Sequence, residues 1–123
     1  MNKDNKLFEK YDNQAIYRTI INRAYYSSYS IAEAWLFNNH GVKIYSPKQL
    51  KQANQPIISV HSQVRKHLED FKHKKITSKL FDLQELRGKA DYTLYPTLNE
   101  EDLEQAIELM KYIVDKMKNM NET

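Results

Sequence analysis

Three short segments of the chain carry the residue types that could bind a ligand or do chemistry. The first contains Arg23 and Tyr26, which are three residues apart and can share one face of a helix. An arginine can hold a phosphate through two parallel N–H donors, and a tyrosine ring can stack on a base. The structural alternative is that the tyrosines of this segment pack in the core while Arg23 pairs with an acid of another helix.

The second segment contains Arg87, Asp91 and Tyr92. Arg87 and Asp91 are four residues apart, the spacing of a helical ion pair. Arg87 also falls close to the apolar face marked by Leu86 and Ala90, so we expect it to point partly inward, where a guanidinium needs a partner. Either Arg87 binds phosphate, or the pair is a salt bridge that fixes helix packing.

The third segment places His61 and Arg65 four residues apart on one helix face. His61 and Arg87 are the candidate catalytic residues, although a lone histidine near a helix start is more often a packing residue. His61 and His67 are six residues apart, which is not a metal-binding pair, and cysteine is absent. The sequence therefore predicts no metal site and no cofactor.

The composition is that of one globular domain spanning residues 1–123. Hydrophobic residues are 41% and charged residues 28% of the chain, and the net charge of +3 allows contact with nucleic acid without requiring it. No apolar run reaches the roughly 18 residues of a membrane span, and the first residues lack a signal-peptide core. We expect a cytoplasmic protein that does not enter the membrane.

Apolar spacing and helix-capping residues predict four main helices and a short fifth. The long helices are expected over residues 12–39, 56–72 and from 77 or 78 to 92–94, and the last begins after a cap at Thr97 or Asn99. Ser46 and Pro47 favour a short helix between the first two, and Gly41 favours a stop. The sequence thus predicts an all-α, antiparallel up-and-down bundle of four to five helices.

The order of these segments resembles the HEPN superfamily, and its small, stand-alone prokaryotic members in particular. The matching residues are 23–26, 61–64 and 86–92, and the resemblance spans about residues 13–118. It implies a helical bundle that commonly forms a homodimer. It also implies a setting of RNA cleavage, nucleotide binding, toxin–antitoxin modules and phage defence, often with a nucleotidyltransferase as partner protein.

The chain departs from the superfamily's ribonuclease motif, in which an arginine is followed by histidine after four to six intervening residues. None of the chain's arginines has a histidine at that spacing, and Tyr92 follows Arg87 where the histidine would be expected. Tyrosine has an ordinary pKa of about 10, which makes it a poor general base at neutral pH. The resemblance therefore implies a degenerate ribonuclease site.

Three hypotheses follow. The first is a non-catalytic or weakly catalytic protein that binds RNA, a nucleotide or a partner protein in a cleft near a dimer interface. The second is an active, metal-independent endoribonuclease toxin that uses His61. The third is a purely structural dimerisation module. The binding cleft of the first hypothesis would be lined by Arg23, Tyr26, His61, Arg65, Arg87, Asp91 and Tyr92.

Overall fold

The computed structural model describes residues 3–92 and 98–120, with side chains described over 13–91 and 98–120. These residues form five helices and no strand, which confirms the predicted all-α class; the up-and-down order stays a prediction. No helix within the described ranges has both the length and the apolar character needed to cross a bilayer. The helices are α1 (Lys3–His40), α2 (Pro47–Gln52), α3 (Val60–Asp70), α4 (Lys74–Tyr92) and α5 (Glu100–Asn119).

The longest helix, α1, contacts α3, α4 and α5. Its predicted start at residue 12 is wrong, because the helix already begins at Lys3. No glycine or proline lies among residues 1–12 to break it. Its predicted end is confirmed: Gly41 has a φ of 66°, and its N–H donates to the Phe37 carbonyl at 2.9 Å.

The helix α3 is shorter than predicted at its N-terminal end. It begins at Val60 because Ser59 caps it, with the Ser59 hydroxyl accepting a hydrogen bond from the Ser62 N–H at 3.1 Å. Residues 56–59, which were predicted to be helical, therefore lie outside the helix, and the side chain of Ile57 is 64% exposed. His61 therefore lies in the first turn of α3.

The helix α4 begins at Lys74, earlier than the predicted start at Thr77 or Ser78. Thr77 is buried within the helix, and its hydroxyl donates to the His73 carbonyl at 3.2 Å rather than capping the helix start. Thr77 thus lies inside the helix, where the sequence predicted the helix start.

The starts of α2 and α5 confirm the predicted caps. Ser46 caps α2, whose first residue is Pro47. Asn99 caps α5: its side-chain oxygen accepts from the Asp102 N–H at 2.9 Å, and the Asp102 carboxylate accepts from the Asn99 N–H at 3.1 Å. The alternative cap, Thr97, lies outside the described residues.

One buried cluster joins α1, α3, α4 and α5. The core-facing stripe of α1 passes through Tyr17, Ile21 and Tyr25, and Ile16 lies off this stripe and is 54% exposed. Tyr25 and Tyr29 lie on that stripe, which directs them towards the region where α3 and α4 pack on α1. Largest among the fully buried side chains are Tyr25, Ile21, Leu36, Leu68, Leu80, Leu83 and Ile113.

Candidate functional site

His61 lies at the centre of a cluster of aromatic and guanidinium groups. Its ring centre is 4.8 Å from that of Tyr25 and 4.2 Å from that of Tyr29. The Tyr25 hydroxyl is hydrogen-bonded to Nδ1 of His61. Because Tyr25 and Tyr29 are four residues apart on α1, both rings face the same side of that helix, contact each other at 4.9 Å between ring centres and pack against His61 of α3.

Arg87 reaches the same cluster from α4. Its guanidinium carbon is 4.7 Å from the ring centre of Tyr25 and 5.0 Å from that of Tyr26. Its Nε atom lies 3.1 Å from the Asp91 carboxylate, which confirms the predicted ion pair. That Nε is buried and has no hydrogen-bond partner among the described residues, so the contact with Asp91 is an electrostatic one.

Arg65 of α3 is held by groups from two other helices. Its guanidinium donates to the side-chain oxygen of Gln84 on α4 and lies 3.5 Å from the Tyr29 hydroxyl. It also donates to the Ser62 hydroxyl at 3.2 Å. Since the Tyr29 hydroxyl donates to the same Gln84 oxygen at 3.4 Å, Gln84 joins α1, α3 and α4 at one point.

Burial and positive charge control ionisation in the cluster. Burial lowers the pKa of His61, and the charges of Arg87 and Arg65 lower it further. Burial raises the pKa of Tyr29 to about 12, and it also raises the pKa of Tyr25 despite a hydrogen bond from Arg87. At neutral pH the histidine and both tyrosines are therefore uncharged.

The hydrogen bond between Tyr25 and His61 defines where the histidine proton resides. Tyr25 is only 1% exposed, so its hydroxyl proton needs an acceptor within the protein, and Nδ1 of His61 provides one. A neutral imidazole that accepts at Nδ1 carries its proton on Nε2. His61 then offers a hydrogen-bond donor, which suits an anionic oxygen.

The structure brings five of the seven predicted binding residues into contact with this cluster. Tyr26 is 49% exposed, and its ring centre is 6.2 Å from that of His61. Arg23 is exposed and makes no hydrogen bond or ion pair with any described side chain of the cluster. Tyr92 ends α4, and its side chain lies outside the described residues. The clustered residues are Tyr26, His61, Arg65, Arg87 and Asp91.

Three residues of the cluster were not predicted as binding residues: Tyr25, Tyr29 and Gln84. The spacing of the two tyrosines along one apolar face was a usable signal, and it fits the predicted alternative of core tyrosines with bonded hydroxyls. Gln84 gave no signal, because its partners Arg65 and Tyr29 are 19 and 55 positions away in the sequence.

A small open pocket of about 190 Å³ adjoins the guanidinium of Arg87. Ligand sites for whole small molecules occupy roughly 300–1,000 Å³, so this pocket fits a single group such as a phosphate. No group of three potential metal ligands exists among the described histidines and carboxylates. The pocket is lined by Tyr25, Gln84, Arg87, Gly88 and Asp91.

Comparison of the chain with protein-family models, with curated proteins and with solved structures finds no match. The chemistry of the cluster therefore carries the functional interpretation. That chemistry is a neutral histidine donor, two guanidinium groups and a half-exposed aromatic ring within one surface region.

Proposed function

We propose that this protein binds a phosphate-bearing ligand, RNA or a nucleotide, at the cluster of His61, Arg87 and Tyr26. The observation that carries the proposal is the set of contacts made by the Arg87 guanidinium. Its guanidinium carbon lies 4.7 Å from the ring centre of Tyr25 and 5.0 Å from that of Tyr26, and its buried Nε has no hydrogen-bond partner among the described residues. A guanidinium carries five N–H donors, and the contacts of Arg87 with Tyr25 and Asp91 use only part of them, so donors remain for a phosphate oxygen.

The electrostatics of the cluster favour an anion. The contacts of the cluster include two guanidinium groups, Arg65 and Arg87, and one carboxylate, Asp91. The same positive charges lower the pKa of His61, which indicates a positive potential at its ring. A phosphate placed there would be attracted by both arginines in a partly buried setting, where charges are screened less than in bulk water.

Tyr26 supports a ligand that carries a base as well as a phosphate. Its ring is half exposed and lies beside Arg87. Stacking of a base on an aromatic side chain contributes about 1–3 kcal/mol in proteins that bind single-stranded nucleic acids. A nucleotide could therefore place its phosphate at Arg87 and its base against Tyr26.

The wider setting of the proposal comes from the motif order in the sequence. It includes membership of the HEPN superfamily, a cytoplasmic homodimer, a nucleotidyltransferase-type partner protein, and a role in a toxin–antitoxin module or phage defence. A purely structural dimerisation module is the alternative in which the same residues serve packing only.

A second candidate function is that of a metal-independent endoribonuclease using His61. The observation in its favour is the lowered pKa of His61, which leaves the ring neutral and able to accept a proton at neutral pH. Arg87 would hold the phosphate at which the strand is cut. The hydrogen bond from Tyr25 occupies the Nδ1 lone pair and Nε2 carries the ring proton, so the ring could act as a base only after the Tyr25 hydroxyl releases Nδ1.

One experiment separates these functions. Purified wild-type protein and the variants Arg87→Ala, His61→Ala and Lys111→Ala are incubated with single-stranded RNA, and both retention and cleavage are measured. Lys111 is an exposed lysine of α5 and serves as a charge-matched control. Retention that depends on Arg87 without cleavage supports the proposal. Cleavage lost in His61→Ala establishes the enzyme instead. Neither retention nor cleavage contradicts both functions.

A further inference from the structure

A second groove lies between α3 and α4, next to the cluster. Its volume is about 460 Å³, within the roughly 300–1,000 Å³ of small-molecule sites, whereas the pocket at Arg87 is smaller. The groove can therefore accept a larger part of a ligand than the pocket can. It is lined by Ser62, Arg65, Lys66, Glu69, Lys74, Thr77, Ser78 and Phe81.

The groove and the pocket are joined by one hydrogen bond. Gln84 lines the pocket at Arg87 and accepts from Arg65, which lines the groove. Arg65 is also bonded to Ser62 of its own helix, so its guanidinium is fixed at the boundary. A ligand bound at Arg87 that continued past Gln84 would meet Arg65 next.

The groove repeats the pairing of arginine and aromatic ring found at the cluster. Phe81 is 47% exposed, and the guanidinium carbon of Arg65 is 5.5 Å from its ring centre. The corresponding pair at the cluster is Arg87 with Tyr26, in which the ring is exposed to a similar extent. Two exposed rings, each beside a guanidinium, provide two places where a base can stack near a phosphate donor.

The charge of the groove also suits a polyanion. Its lining includes three cationic side chains, Arg65, Lys66 and Lys74, against one carboxylate, Glu69. Two lysines and an arginine along one groove match the spaced phosphates of a strand better than the single phosphate of a mononucleotide.

We propose that this groove is a second subsite, which binds the neighbouring nucleotide of a single-stranded nucleic acid, with Phe81 stacking on a base and Arg65 contacting a phosphate. The inference rests on the proposed function, because it takes the pocket at Arg87 as the first subsite. It assigns an oligonucleotide, rather than a mononucleotide, as the ligand class of the site.

Binding of hexauridylate and of uridine monophosphate to the full chain tests this subsite. Phe81→Ala should weaken hexauridylate binding by roughly tenfold, as expected for the loss of one stacked base, and leave uridine monophosphate binding unchanged. Phe81→Trp should retain binding of both ligands. Phe37→Ala is the matched control, because Phe37 is an exposed phenylalanine, at 55%, outside the groove. Circular dichroism verifies that each variant is folded.

The outcomes distinguish the two proposals. Unchanged hexauridylate binding in Phe81→Ala, with Arg87→Ala weakened, overturns the second subsite and keeps the proposed function. Equal weakening of both ligands by Phe81→Ala also overturns it, since the groove would then not be separate from the pocket. Unchanged binding in Arg87→Ala, or no binding by the wild type, overturns the proposed function. Hexaglutamate that competes as strongly as hexauridylate overturns the assignment to nucleic acid and indicates an acidic peptide.

Discussion

The hydrogen bond between the Tyr25 hydroxyl and Nδ1 of His61 links α1 to α3 inside the cluster. Its consequence extends beyond packing, because a tyrosine that donates to Nδ1 leaves the histidine proton on Nε2. Arg87, whose guanidinium carbon lies 4.7 Å from the ring centre of Tyr25, adds a positive charge that lowers the pKa of His61. A buried tyrosine thus determines which groups the site offers to a ligand.

Replacement of Arg87 should weaken nucleotide binding in a graded way. Hydrogen bonds to charged groups contribute about 1.5–3 kcal/mol, so Arg87→Ala should weaken binding of uridine monophosphate by about ten- to a hundredfold in isothermal titration calorimetry. Arg87→Lys keeps the charge but loses the planar pair of donors, and an intermediate loss is expected. The control Lys111→Ala should match the wild type; a loss equal to that of Arg87→Ala would show a general charge effect.

Replacement of Gln84 should destabilise the fold. Gln84→Leu removes the oxygen that accepts from Arg65 and Tyr29, which leaves the partly buried Tyr29 hydroxyl proton without its acceptor and reduces the hydrogen bonds of Arg65 to those with Ser62 and Tyr29. We expect the free energy of unfolding in urea to fall by about 1–3 kcal/mol. The exposed Gln105 of α5 provides the matched control, and Gln105→Leu should change that free energy by less than about 0.5 kcal/mol. Equal free energies of unfolding for the two variants would show that the hydrogen bonds of Gln84 with Arg65 and Tyr29 contribute nothing to stability.

The lowered pKa of His61 predicts a stability change in mild acid. Because the unfolded chain binds the proton more strongly than the folded one, the contribution of His61 is present above the unfolded pKa of about 6.5 and is lost as the pH falls towards the folded pKa. Urea unfolding across this pH range should show a shallower loss in His61→Gln than in the wild type. His67→Gln, a histidine substitution on the same helix, is the comparison; an identical profile for wild type and His61→Gln would refute the effect.

The raised pKa of Tyr29 predicts the opposite dependence in alkali. The folded protein keeps the phenol proton up to about pH 12, whereas the unfolded chain loses it near its ordinary pKa of about 10. The free energy of unfolding should therefore decrease as the pH rises above about 10. Tyr29→Phe should reduce this slope, while Tyr45→Phe, at an exposed tyrosine, should not. A slope unaffected by Tyr29→Phe would contradict the assignment.

Local patterns predicted the features that depend on near neighbours in the sequence. The ion pair of Arg87 with Asp91, the stop at Gly41 and the cap at Asn99 each involve residues within a turn of one another. Apolar spacing misplaced the start of α3, because Ile57 fits the helical spacing although the helix begins only after the Ser59 cap. Apolar periodicity shows only which side chains would share one face if the segment were helical, and it does not show where the helix begins.

The parts of the site that the sequence could not provide depend on packing between helices. Gln84 joins three helices through partners far away in the chain, and no local pattern marks it. Arg23 illustrates the reverse case: its spacing from Tyr26 suggested a shared role, yet Arg23 is exposed and joins none of the cluster's contacts. How far each helix is rotated against its neighbours decides such outcomes.

NMR gives the most direct test of whether Arg87 and His61 bind one phosphate. Side-chain nitrogen–proton correlation spectra are recorded during a titration with uridine monophosphate. The account predicts that the Arg87 Nε–H and His61 Nε2–H signals shift together and saturate at the same ligand concentration. The Arg18 Nε–H signal should stay in place, since it donates to the Ala90 carbonyl at 2.8 Å. Saturating ligand that leaves the Arg87 and His61 signals unmoved, or moves Arg18 equally, would contradict the account.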